Sequence, residues 1–209
     1  MTPISVTPDL KNLAQAHTNT MPAKLELNWV ENIKGKSALH IQPTKKEFNV
    51  EDEWIIIFNG IEFNDGEIEF DVLGKSNPPQ SNFLGIAFHY LDDTTHDAVY
   101  FRPFNFKSDD PERKAHAVQY ISHPDYRWFN LRQERPGEYE KPINPIQDGD
   151  DWFHVRIVIK NPKISVFVNN CEEPCLVINE LGLRLGSGIG LWCGPGQGGF
   201  FANMKISPL

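Results

Sequence analysis

Between Gly66 and Leu73 the chain alternates without a fault. Ile68, Phe70 and Val72 fall on one side of an extended backbone; Glu67, Glu69 and Asp71 fall on the other. Period two is the mark of a strand with one buried face. The pattern recurs at residues 24–30 (Leu25, Leu27, Trp29), 37–42 (Leu39, Ile41) and 83–90 (Leu84, Ile86, Phe88). Further strands are expected at 53–58, 152–160, 163–169, 175–178, 186–192 and 200–206. About a dozen short strands separated by turn residues predict an all-β chain, an antiparallel jelly-roll sandwich.

One helix interrupts this reading. Thr7-Pro8-Asp9 has a capping threonine and a proline suited to a first helical position, and Leu10, Leu13, Ala14 and His17 follow at helical spacing. A short helix ending before Thr20 is expected, with less than about a tenth of the chain helical. The predicted organisation is an extension over 1–20 and one sandwich domain over 21–209.

The most informative strand is the stretch 96–106, answered by 116–121. Val99 and Phe101 point one way, Ala98, Tyr100 and Arg102 the other. An arginine amid aromatics is costly to bury without partners, and Gln119 on the second strand is the natural one. Two readings stay open: a face that recognises hydroxyl-rich ligands, or an arginine strut beneath a loop. The segment 122–147 is long and carries His123, Tyr126, Trp128, Arg132, Glu134, Glu138 and Tyr139. Connections of that length are functional or disordered, and the aromatic content argues for order. Its aromatic rings suit either stacking on a sugar or anchoring the loop.

The net charge of -8 argues against nucleic acid and against an anionic membrane surface. No apolar run approaches the roughly 20 residues that span a bilayer. The first residues show no basic-then-apolar leader, so a cytoplasmic location is expected for the sequence as given, or a secreted or periplasmic one if a leader was trimmed. Three cysteines, Cys171, Cys175 and Cys193, are an odd count and read as free thiols. The stretch 194–199 is glycine-rich but lacks the lysine and helix of a phosphate loop.

The order of motifs resembles a known superfamily. Gly66-Glu-Ile-Glu-Phe-Asp71, Leu84-Gly-Ile-Ala-Phe88, Val99-Tyr-Phe-Arg102 and Val118-Gln-Tyr120 come first. Trp152-Phe-His-Val-Arg156, Val166-Phe-Val-Asn169, Ile189-Gly-Leu-Trp192 and Phe201-Ala-Asn203 follow. Over about residues 24–207 this resembles the concanavalin A-like lectin/glucanase superfamily, especially its laminin-G-like and 3-keto-disaccharide hydrolase-like members. The resemblance implies two curved sheets with a polar concave face that often binds sugars. Alternation then nominates His89, Tyr100, Arg102, Gln119, His154 and Trp192 as ligand-binding residues, with Trp128 from the long segment. Asp71, Arg156 and Asn203 are placed opposite the apolar rows as well.

Three functions follow from these residues. The first is a glycan-binding module. The second is a glycoside hydrolase using Glu67 and Glu69, helped by His89 or His154. Same-face neighbours on a strand lie about 6.7 Å apart, near the roughly 5 Å carboxyl spacing of retaining glycosidases. The superfamily's laminarinase-like members carry Glu-x-Asp-x-Glu or Glu-x-Asp-x-x-Glu; here Glu69 and Asp71 exchange the central and last acids. The third is a protein-interaction sandwich without a small ligand. No cofactor is implied apart from calcium, for which Asp92, Asp93, Asp148 and Asp150 supply hard oxygen ligands. His96, His116 and His123 do not show metal-ligand spacing and are expected to be ordinary strand or loop residues.

Overall fold

The computed structural model describes residues 4–17, 25–44, 49, 51–76 and 82–209. Half of the protein is strand and 11% is helix. The strands are β1 Leu25–Ile33, β2 Lys36–Pro43, β3 Trp54–Glu62, β4 Gly66–Leu73, β5 Leu84–Asp92, β6 Thr95–Phe101 and β7 Val118–Ser122. They continue as β8 Glu140–Lys141, β9 Phe153–Lys160, β10 Lys163–Val168, β11 Leu176–Asn179, β12 Gly188–Cys193 and β13 Gly199–Pro208. Among the described residues three α-helices, α1 Leu10–His17, α2 Pro111–Ala115 and α3 Trp128–Glu134, and a single 3-10 turn at Pro103–Asn105 accompany them.

Two antiparallel sheets result. One has seven strands in the order β1-β2-β13-β4-β9-β10-β11; the other has six, β3-β12-β5-β6-β7-β8. The apolar rows of the alternating strands meet between them. Ile68, Phe70 and Val72 face inward from β4, and Val99 and Phe101 from β6, all without solvent exposure. Phe101 meets Phe153 edge to face across the core, with centroids 5.3 Å apart. Each such side chain contributes about 1.5–3 kcal/mol on burial, so these rows hold the sheets together.

Several local expectations shift. Asp9, not Thr7, caps α1: its carboxylate accepts from the Asn12 amide at 2.9 Å. Leu10 and Ala14 of this helix are buried against the sandwich. β3 continues through Asn59-Gly60 to Glu62, because Gly188 of β12 keeps pairing with it. The charged stretch before β7 forms α2, with Asp110 as cap and Pro111 in the first turn. The long segment 122–147 is ordered as α3 and β8, and β8 extends the six-stranded sheet.

Sheet membership sorts the polar faces, which alternation alone could not do. β4, β9 and β13 share one sheet while β5, β6, β7 and β12 share the other. Glu67, Glu69, Asp71, His154, Arg156 and Asn203 therefore occupy the outer face of the seven-stranded sheet. Tyr100, Arg102, Gln119 and Trp192 occupy the outer face of the six-stranded one.

Candidate functional site: a groove on the six-stranded sheet

The site grows from one row of residues running across the sheet. Strand register sets Glu140 beside Gln119, Gln119 beside Tyr100, and Tyr100 beside Gly85. Gly85 in turn pairs with Trp192, and Trp192 with Ile55. Gly85 has no side chain, so the rings on either side of it lean over the strand and stack. Tyr100 and Trp192 lie with centroids 4.5 Å apart and planes at 24°. A Cβ at Gly85 would sit 2.6 Å from Tyr100 Cα and 2.2 Å from the Val99 carbonyl oxygen. Glycine here is a requirement of the close approach.

Above this floor lies a cavity of about 220 Å³. Asn49 and residues 51–53 form one wall and the first turns of α3 the other; Pro195 and Gly196 of the glycine-rich loop line it as well. Arg127, just ahead of α3, reaches Glu51 at 3.1 Å across the opening. Both side chains are well exposed, so this clasp is worth at most about 1 kcal/mol. Trp128 lines the cavity with Arg132 over its ring at 5.0 Å.

Arg102 sits at the base, only 6% exposed. Its Nη2 donates to the Tyr100 hydroxyl at 2.8 Å and to Gln119 Oε1 at 2.5 Å, and Nη1 donates to the His116 carbonyl at 3.0 Å. The guanidinium lies 4.8 Å from the Tyr100 ring centroid. Burial pulls its pKa down, with Tyr100 and Glu140 opposing that pull. Burial also raises the Tyr100 phenol, partly offset by Arg102. Arg102 is thus both a strut, with its fork largely used, and a residue that lines the cavity. Behind it, buried Glu140 takes a bidentate pair from Arg132 at 3.0 and 2.8 Å. Glu140 lies 3.2 Å from His116 Nε2 and 3.9 Å from Arg102 as well. One carboxylate therefore ties α3 to the floor. Nothing in the local pattern around Glu140 announces this; it depends on β8 joining the sheet.

Glu53 is a second residue that sequence reasoning missed. Its Oε2 accepts from the Trp192 indole N–H at 2.9 Å, its Oε1 lies 3.0 Å from His123 Nδ1, and His96 Nε2 is 3.7 Å away. Burial alone would raise the Glu53 carboxyl; His123 and then His96 outweigh that and hold it at about 2. His96 and His123, expected to be ordinary residues, are thus brought together with Glu53; Glu53 and His123 line the cavity and His96 is buried beneath them.

The remaining candidates lie elsewhere. A bulge after Phe88 puts His89 in the left-handed region (φ 49°) and turns it to Asp97, 2.8 Å from Nδ1, and to the Asn64 carbonyl, 2.9 Å from Nε2. His89 is buried there, away from the cavity lining. On the opposite sheet Glu67 pairs with Arg156 at 3.1 Å, and Glu69 with Lys205 at 3.3 Å. Asp71 accepts from Lys36, Asn203 and His154 at 2.7, 2.6 and 2.9 Å. Burial raises the Asp71 carboxyl, but these partners bring it down to about 2. Asp92 accepts from the Thr94 amide and hydroxyl, and Asp93 from the Tyr90 hydroxyl. Asp148 is bonded to Lys107, Ser76 and the Asp150 amide, and its carboxyl lies far below the usual range, chiefly through Lys107. Among the described residues, the clusters of three nearby metal-ligating atoms are Glu53-His96-His123 and His89-Asp97-Glu180; the four candidate calcium ligands belong to neither.

Two sheets of this order form an antiparallel β-sandwich with a groove on the outer face of the six-stranded one. Solved structures with this fold are similar across most of the chain. The carbohydrate-binding module CBM66 from Bacillus subtilis matches at TM-score 0.53 and 11% identity, over 88% of this chain and 96% of its own. A Bacillus subtilis protein of unknown function with a galectin-like fold matches at 0.54 and 11%, over 88% and 87%. The exoplasmic/lumenal domain of VIP36, in a Ca2+/Man3GlcNAc-bound form, matches at 0.51 and 13%, over 89% and 84%. No protein-family model and no curated protein matches the sequence. At these identities the likeness is one of fold.

Proposed function

We propose that this protein binds a carbohydrate in the groove between α3 and residues 51–53. The observation that carries the reading is the Tyr100–Trp192 stack over Gly85, an aromatic floor set beside polar groups within one small cavity. Aromatic faces suit the apolar side of a sugar ring, and charged forks hold its hydroxyls. Trp128 offers a wall for the ring. Glu53 has further lone pairs for hydroxyl donors, because a carboxylate has about four acceptor sites. The volume favours one terminal ring over a threaded chain, since pockets for larger ligands start at roughly 300 Å³. Carbohydrate binding by the similar CBM66 and VIP36 folds supports the same class of ligand.

A hydrolase relying on Glu67 and Glu69 fits less well. Those carboxylates are held by Arg156 and Lys205 on the other sheet, away from the groove. A glycan array read with wild-type protein and with Trp128→Ala tests the proposal. Binding to a set of glycans sharing one terminal sugar, lost in Trp128→Ala, is expected. An array without any wild-type signal, or one unchanged by the substitution, contradicts it.

A further inference from the structure

We infer that Glu53, His96 and His123 form a binding site for a zinc-like divalent cation at the floor of the groove. The three donor groups come from separate parts of the chain: Glu53 just before β3, His96 in β6 and His123 just past β7. The main chain holds the two histidines together, with the His123 amide donating to the His96 carbonyl at 2.8 Å. Their rings lie 4.7 Å apart, and all three ligand atoms fall within 4.8 Å of one another. Tetrahedral zinc with ligands at about 2.0–2.1 Å sets neighbouring ligand atoms about 3.3 Å apart. The distances from Glu53 oxygens to His123 and His96, 3.0 and 3.7 Å, bracket that value.

His96 points to a ligand independently. Its side chain is 0% exposed, yet neither ring nitrogen has a hydrogen-bond partner. A buried imidazole whose nitrogens make no hydrogen bond is unfavourable, and a metal ion would use one of them. The Trp192 indole N–H bonded to Glu53 is the kind of outer contact that orients a metal-binding carboxylate. Two imidazoles and one carboxylate suit zinc and the neighbouring first-row divalent ions more than calcium, which prefers oxygen. Because Glu53 and His123 line the cavity, the remaining coordination position faces the groove and takes water or a ligand hydroxyl. Only that last step rests on the glycan reading; metal binding is measured without sugar.

The experiment titrates chelator-treated, full-length protein with zinc chloride against a chromophoric chelator. One equivalent is expected to bind, and His96→Leu and His123→Gln should each weaken binding at least about tenfold. His40→Gln, on the other sheet, should leave it unchanged. Circular dichroism reports whether the variants fold. If they do not, wild-type protein labelled with 15N-histidine decides alone: two of the seven imidazoles should shift at one equivalent. Lack of saturable binding by wild type, full affinity in both folded variants, or shifts at other histidines would overturn the site.

Discussion

Tyr100 and Trp192 come from strands that are not neighbours, yet their rings stack at 4.5 Å because Gly85 lies between them in register. A side chain at 85 would enter the space of the Tyr100 backbone, which cannot rotate away as a flexible side chain would. Gly85→Ala should cost about 1–3 kcal/mol by overpacking and change the tryptophan emission of the folded protein. Urea denaturation followed by fluorescence measures both; a variant as stable as wild type, with unaltered emission, contradicts the account.

Arg102 should matter for stability before it matters for binding. Removing its side chain takes the donor from the Tyr100 hydroxyl, leaves Gln119 Oε1 with the Tyr100 hydroxyl as its remaining donor, and strips a cation from beside buried Glu140. Arg102→Ala is expected to lose about 3–5 kcal/mol. Arg102→Lys should lose nearly as much, because a single ammonium cannot hold the Tyr100, Gln119 and His116 acceptors together. Chemical denaturation that places either variant within 1 kcal/mol of wild type would show that the fork is not a strut.

Acid should act on the opposite sheet through Asp71. Its carboxyl is lowered from 3.8 to about 2, so the folded state binds its proton more weakly than the unfolded chain does. The stabilisation is therefore fully present above pH 4 and is lost as pH falls through the folded value near 2. Asp71→Asn should be less stable at neutral pH by about 1–3 kcal/mol, with a shallower loss of stability between pH 4 and 2. Parallel acid limbs for the two proteins would refute this assignment.

The thiols should differ in reach. Burial pushes Cys193 up to about 12 and Cys175 up to about 11, and Cys175 also donates to the Val166 carbonyl. Native protein should alkylate slowly at both, whereas denatured protein should label at all three cysteines. Mass spectrometry detecting rapid native labelling of Cys193 contradicts the burial.

The alternation of β4, β5 and β6 made the inward rows legible, since period two depends only on neighbours in sequence. The same period nominated Tyr100, Arg102, Gln119 and Trp192, which the structure brings to one face. It could not separate them from Glu67 and His154, because sheet membership is fixed by pairing between distant strands. Gly85 and Glu140 were invisible for that reason, each gaining its role from register with another strand, and Glu53, just ahead of β3, gains its role from the side chains of Trp192, His96 and His123. His89 escaped its expected face because the bulge after Phe88 breaks the period. The ordering of 122–147 was anticipated from its aromatics, while α3 and β8 were not.

The proposed ligand site lies beside Trp128 and Trp192, on the six-stranded sheet. Chemical-shift mapping on 15N-labelled protein, titrated with the glycan selected by the array, tests it most directly. Saturable shifts are expected in the Trp192 and Trp128 indole N–H signals and in the amides of residues 51–53 and 127–129. Saturable shifts confined to Glu67, Glu69 and Arg156, with the two indoles unmoved, would contradict it.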